Sequence, residues 1–92
     1  MAKVVVTIKI MPESPEEDLS KITEASLKHI KQFAGDHDTK VEQEPIAFGL
    51  NALKIMFVMD EKKGSTEELE EDIKSISGVQ SVEVTDVRRA IG

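Results

Sequence analysis

Ala52-Leu53-Lys54-Ile55-Met56-Phe57-Val58-Met59, bounded by Asn51 and Asp60, is the longest apolar run in the sequence, and its reading decides the fold. The run is strand length and too short to cross a membrane. Leu53, Ile55, Phe57 and Met59 alternate onto one face, and Lys54, Met56 and Val58 onto the other. A strand apolar on both faces belongs in the middle of a sheet. Just upstream, Ala47-Phe48-Gly49-Leu50-Asn51 carries a turn signal, because Gly49 accepts the positive φ that other residues resist. Two readings of Phe48 follow. It caps the end of the core, as most aromatics do, or it stands at the tip of a hairpin.

Working outward, Thr39 to Ile46 reads as a second strand. Lys40, Glu42, Glu44 and Pro45 are edge-strand residues. Upstream of that, Gly35-Asp36-His37-Asp38 is a loop. Its Asp-His-Asp sequence is a weak metal signal, since adjacent residues rarely converge on one ion, and no metal is expected. Leu19, Ile22, Ser26, Ile30 and Phe33 recur at helical spacing and predict a helix over 15–34. Ser14 fits its N-cap, Pro15 its first position and Glu17 its capping-box partner, and Gly35 ends it. Lys3 to Met11 is a first strand, stopped by Pro12, with Val4, Val6, Ile8 and Ile10 on one face.

Downstream, Ser65-Thr66-Glu67-Glu68 repeats the start signal, with Ser65 as N-cap and Glu68 as its partner. Leu69, Ile73 and Ile76 line the inner face, acidic residues line the outer one, and Gly78 ends the helix. Val79 to Val87 is the last strand, with Val82 and Val84 inward. Arg88-Arg89-Ala90-Ile91-Gly92 then reads as a frayed basic tail.

The order strand, helix, strand, strand, helix, strand gives two right-handed crossovers around one hairpin. This is an α+β, ferredoxin-like βαββαβ sandwich, with an antiparallel sheet in the order 4-1-3-2 and both helices on one face. Strands one and three are the most apolar, as central strands should be. The opposite face stays open, showing Lys3, Val5, Thr7, Lys9, Lys54, Met56, Val58, Glu83 and Thr85.

Ninety-two residues form one domain, 1–92, with room for one modest core. Without cysteine there is no disulfide, thiol nucleophile or iron–sulfur site. Eighteen acidic residues against twelve basic ones give a net charge of −6, which argues against general attraction to nucleic acid. RNA recognition on this fold needs aromatics on the open face of the central strands, and the first strand has none. No signal peptide or membrane span is visible, so a cytoplasmic location follows by default. Two histidines, neither on an obvious pocket wall, offer no acid–base constellation. From the residues alone this is a non-enzymatic binding or regulatory module.

Three stretches then resemble a known family: Pro45-Ile46-Ala47-Phe48-Gly49-Leu50 with Leu53-Lys54-Ile55, Gly64-Ser65-Thr66-Glu67-Glu68-Leu69-Glu70-Glu71-Asp72-Ile73, and Val79-Gln80-Ser81-Val82-Glu83-Val84. In this order they are similar to the guanine-nucleotide exchange domain of translation elongation factor 1-beta, and the chain's size resembles the archaeal form. The resemblance implies an exchange factor, not an enzyme, that promotes GDP release from the GTPase elongation factor 1-alpha. It implies partner contacts by Phe48 and Gly49 in the Pro-x-x-aromatic-Gly segment. It also implies that Arg89, with Arg88 beside it, stands for a basic residue reaching toward the magnesium and phosphates. The eukaryotic members usually carry lysine there, and many relatives carry a lysine pair after the glycine, where this chain has Asn51-Ala52. A monomer without cofactor is expected. The alternative is a small-ligand-binding or dimerising module using the open sheet face.

Overall fold

The computed structural model describes residues 3–90. The deciding run is strand β3, Asn51–Asp60. Around it stand β1 (Lys3–Pro12), helix α1 (Leu19–Ala34), β2 (Thr39–Pro45), helix α2 (Glu67–Lys74) and β4 (Val79–Ala90). The sheet runs β2-β3-β1-β4, every described neighbour pair being antiparallel. This is the expected ferredoxin-like order, with β1 and β3 central.

Apolar side chains alternate into the core along both central strands. Val4, Val6, Ile8 and Ile10 of β1 join Leu53, Ile55, Phe57 and Met59 of β3 in one core. Ile22 and Ile30 of α1 and Leu69 and Ile73 of α2 cover that face. Ser26 lies on the same stripe, fully buried, and its hydroxyl has no hydrogen-bond partner.

Element ends differ from the sequence reading. Helix α1 begins at Leu19, with Asp18 as its N-cap accepting from Ser20 N and Lys21 N. Ser14 to Glu17 form a separate turn, closed by Glu17 N donating to Ser14 O at 3.3 Å. The capping-box pattern at Ser14 is therefore real turn chemistry one step early; Asp18 is the better acceptor beside the apolar stripe. Glu17 instead lies against Gly78, where an added Cβ would run into its carboxylate.

At α2 the N-cap is Thr66, whose hydroxyl donates to Glu70 Oε2 at 2.8 Å, while Ser65 Oγ accepts from Glu67 N at 3.1 Å. Glu68 is not the capping partner. The helix ends at Lys74, and Gly78 belongs to the turn leading into β4. Pro12 is the last residue of β1 rather than its stop; a register irregularity beside it, where proline is tolerated, brings it opposite Val79.

The largest difference is the C-terminal segment. Strand β4 continues through Arg88 and Arg89, which pair with Val5 and Val4 of β1. Neither arginine lies in a frayed tail; Ile91 and Gly92 lie outside the described residues.

Candidate functional site

The hairpin tip is built by four residues. Leu50 N donates to Ala47 O at 2.9 Å, and Ile46 N to Leu50 O at 2.9 Å. Between them Phe48 has φ 54° and Gly49 φ 79°. Two successive positive φ values match the right-handed twist of the flanking strands, as in a type I′ turn. Glycine adopts that conformation freely, but phenylalanine does so at a cost of about 1–2 kcal/mol. Phe48 is also 96% exposed, and Ile46 beside it is exposed too. Phe48 therefore does not cap the core. It is an aromatic in a strained conformation, held out in water. Such an outlier points to function rather than stability. Behind it, a Cβ placed on Gly49 would sit 3.7 Å from Pro15, so the Ser14–Glu17 turn backs the tip.

The two arginines stand elsewhere. Met59 of β3 and Arg89 of β4 both flank Val4 of β1. At about 3.3 Å per residue, the strand from Asn51 to Met59 separates the tip from Arg89 by roughly 26 Å. The molecule measures 42 × 21 × 19 Å, and the pairs Phe48–Gly49 and Arg88–Arg89 occupy opposite ends of its sheet.

A bulge decides which way the arginines face. Ile8 pairs with Val84, but Thr7 pairs with Asp86, leaving Thr85 extra. Its hydroxyl lies 3.5 Å from Thr7 O. Plain alternation from Val82 and Val84 would turn Asp86 and Arg88 inward. The extra residue reverses the phase, so Val87 and Arg89 lie on the helix-bearing side and Asp86 and Arg88 on the open face. Thr85 is thus a bulge rather than a regular open-face position. Each arginine finds a carboxylate on its own side. Arg88 Nε bonds Asp86 Oδ2 at 2.8 Å, and Arg89 Nη2 bonds Glu61 Oε1 at 2.7 Å. Glu61 opens the 3₁₀ turn Glu61–Lys63 that follows β3.

Beside Arg89 lies a cleft of about 480 Å³ between the sheet and the start of α2. Val4, Val6, Met59 and Val87 line it with Glu61, Glu67 and Glu70, and Val87 is 56% exposed. Among the described residues, no group of three His, Asp or Glu side chains is placed to hold a metal ion. Asp36 of the Asp-His-Asp loop instead lies 3.9 Å from Lys31. Among the described residues, no helix is long and apolar enough to cross a membrane.

The sequence singles out Phe48, Gly49 and both arginines, whereas the contacts that Glu61 and Asp86 make with the arginines and the place of Pro15 behind Gly49 emerge only in the fold. The bulge left a trace: the apolar spacing Val82-x-Val84-x-x-Val87 changes phase at Thr85. Nothing local in the sequence joins Glu61 to Arg89.

The model of the EF-1 guanine nucleotide exchange domain matches residues 5–90. Over 89 residues the chain is 47% identical to elongation factor 1-beta of Methanothermobacter thermautotrophicus, covering 97% of this chain and 98% of that protein. It is 46% identical to elongation factor 1-beta of Methanobrevibacter smithii over 89 residues, with the same coverage. To that of Hyperthermus butylicus it is 40% identical over 91 residues, covering 97% and 96%. A solved structure, the de novo designed protein Foldit4, superposes with a TM-score of 0.63 at 23% identity, covering 98% of each chain. That last likeness bears on the fold alone.

Proposed function

The chain belongs to the EF-1 guanine nucleotide exchange domain family, whose role is nucleotide exchange in translation elongation, and we propose that its partner is the GTPase elongation factor 1-alpha. In this reading it is a cytoplasmic monomer that speeds GDP release so that GTP can rebind. The observation that carries it is Phe48: an exposed aromatic in a strained turn, at the position where the family resemblance puts a partner contact.

The proposed chemistry has two parts. Phe48, with Gly49 behind it, seats in an apolar pocket of the GTPase. The side chain is desolvated only in the complex, so its burial contributes to binding what it cannot contribute to folding. Arg88 and Arg89 bring positive charge to the region where the GTPase holds magnesium and the GDP phosphates. A cation there competes electrostatically with the metal, and phosphates deprived of magnesium are held less well. The factor must bind the nucleotide-free GTPase more tightly than the loaded one. By reciprocity, incoming nucleotide then expels the factor. The equilibrium between GDP and GTP on the GTPase alone is untouched.

Because Phe48 and the arginines lie at opposite ends, this reading needs a partner surface as long as the sheet. The dimerising or small-ligand alternative would use the open face. That face carries a shallow apolar depression of about 190 Å³ at Val5, Met56 and Val58, but ion pairs between Lys9 and Glu44 and between Asp86 and Arg88 interrupt it.

Release of a fluorescent GDP analogue from elongation factor 1-alpha tests the proposal. Marked acceleration by substoichiometric protein is expected. No acceleration with a verified partner would sink it.

A further inference from the structure

The Arg89–Glu61 bond joins the last strand to the turn after β3. Arg88 pairs with a residue two positions back on its own strand, which any exposed strand can arrange. Arg89 instead reaches a carboxylate distant in sequence, and only because the bulge at Thr85 places it on the helix-bearing side. Glu61 is well anchored. Its turn is capped by Asp60 Oδ1 accepting from Lys62 N at 2.9 Å, and Gly64 N donates to Glu61 O at 3.2 Å. Asp60 is itself paired with Lys3 at the end of β3.

The pair is exposed, with 72% of the Arg89 side chain and 42% of the Glu61 side chain accessible. Ion pairs this wet contribute little to stability. Their effect is on direction: a long, flexible side chain is confined to one region. Contact through one Nη leaves the rest of the planar guanidinium fork for oxyanion acceptors, which it meets through paired N–H donors.

We propose that Glu61 is a positioning residue for Arg89, presenting its guanidinium to the partner's nucleotide site. The inference rests on the exchange reading and deepens it. Arg89 pre-ordered by Glu61 loses less freedom when it acts, so the gain appears in nucleotide release from the formed complex.

The test measures release of the GDP analogue at saturating and half-saturating factor for wild type, Arg89→Ala, Glu61→Gln, Glu61→Asp and the Glu61→Gln/Arg89→Ala double variant. Arg89→Ala should slow release at saturation. Glu61→Gln should lower the saturating rate about two- to five-fold, the range an exposed ion pair supports, without moving the half-saturating concentration or the melting temperature. Glu61→Asp should restore part of the rate. In the Arg89→Ala background, Glu61→Gln should change nothing. Wild-type speed in Glu61→Gln or an equal loss in both backgrounds would overturn the inference while leaving the exchange reading intact; an unaffected Arg89→Ala would overturn it and also remove Arg89 from the exchange chemistry, leaving exchange activity itself standing. Absence of acceleration by wild type overturns the exchange reading and, with it, this one.

Discussion

At the hairpin end, Phe48 is apolar, exposed and held by a turn of adjacent residues. At the other end, Arg88 and Arg89 are charged, paired with carboxylates and placed by pairing between the first and last strands. The first end is a local device that carries its own strain. The second is a product of the whole sheet and stores little energy. Substitutions at the tip should therefore separate function from stability. Those at the arginine end should be mild, electrostatic and dependent on distant residues.

The sharpest contrast is between two phenylalanines. Phe57 is buried in the core, and Phe57→Ala should cost about 3–5 kcal/mol in urea unfolding. Phe48→Ala should stay within about 0.5 kcal/mol of wild type. Comparable losses would break the comparison by making the tip part of the core. Next, Phe48→Asn supplies the Asn-Gly pair that two-residue hairpin turns favour. It should lower exchange about thirty-fold, as loss of an aromatic hot spot worth about 2 kcal/mol does, while stability rises by about 1 kcal/mol. A loss of both together would tie the tip to folding after all.

Gly49→Ala should cost about 1–2 kcal/mol through its positive φ alone, since the new Cβ would meet Pro15 at ordinary contact distance. A larger loss would mean that Pro15 resists. The smallest effect separates the two ends by salt. Between about 0.05 M and about 0.5 M the screening length falls from about 14 Å to about 4 Å, which weakens attraction between exposed charges across an interface. Wild-type exchange should slow a few-fold over that range, and the Arg88→Ala/Arg89→Ala double variant should not. Equal salt dependence in both proteins would remove the arginines from the electrostatic account.

The same contrast explains what the sequence disclosed. Strands β1 and β3 were legible because their apolar residues alternate without interruption, and their two-faced character fixed the central positions. Phe48-Gly49 was legible as a turn because glycine reports backbone conformation locally. That the phenylalanine itself takes a positive φ was not, since its own preference opposes it and the hairpin overrides it. The start of α1 misled because Ser14-Pro15-Glu16-Glu17 carries every capping residue, yet Asp18 supplies the acceptor. The arginines read as a loose tail because charge near a terminus resembles disorder. Their strand character comes from ladder bonds to Val4 and Val5, residues at the other extreme of the chain. Glu61 is a charge in a charged loop until tertiary structure brings Arg89 to it.

The pairing of β1 with β4 also orders events in time. The β2–β3 hairpin joins neighbours in the sequence and can close within microseconds of being available. Strand β1, by contrast, has one edge that waits for the chain's last strand. Pairings of such separation are slow to form. That edge stays bare until β4, made long after β1, reaches it. The tip can close before β4 arrives, whereas the bulge and both arginine pairs cannot form without it.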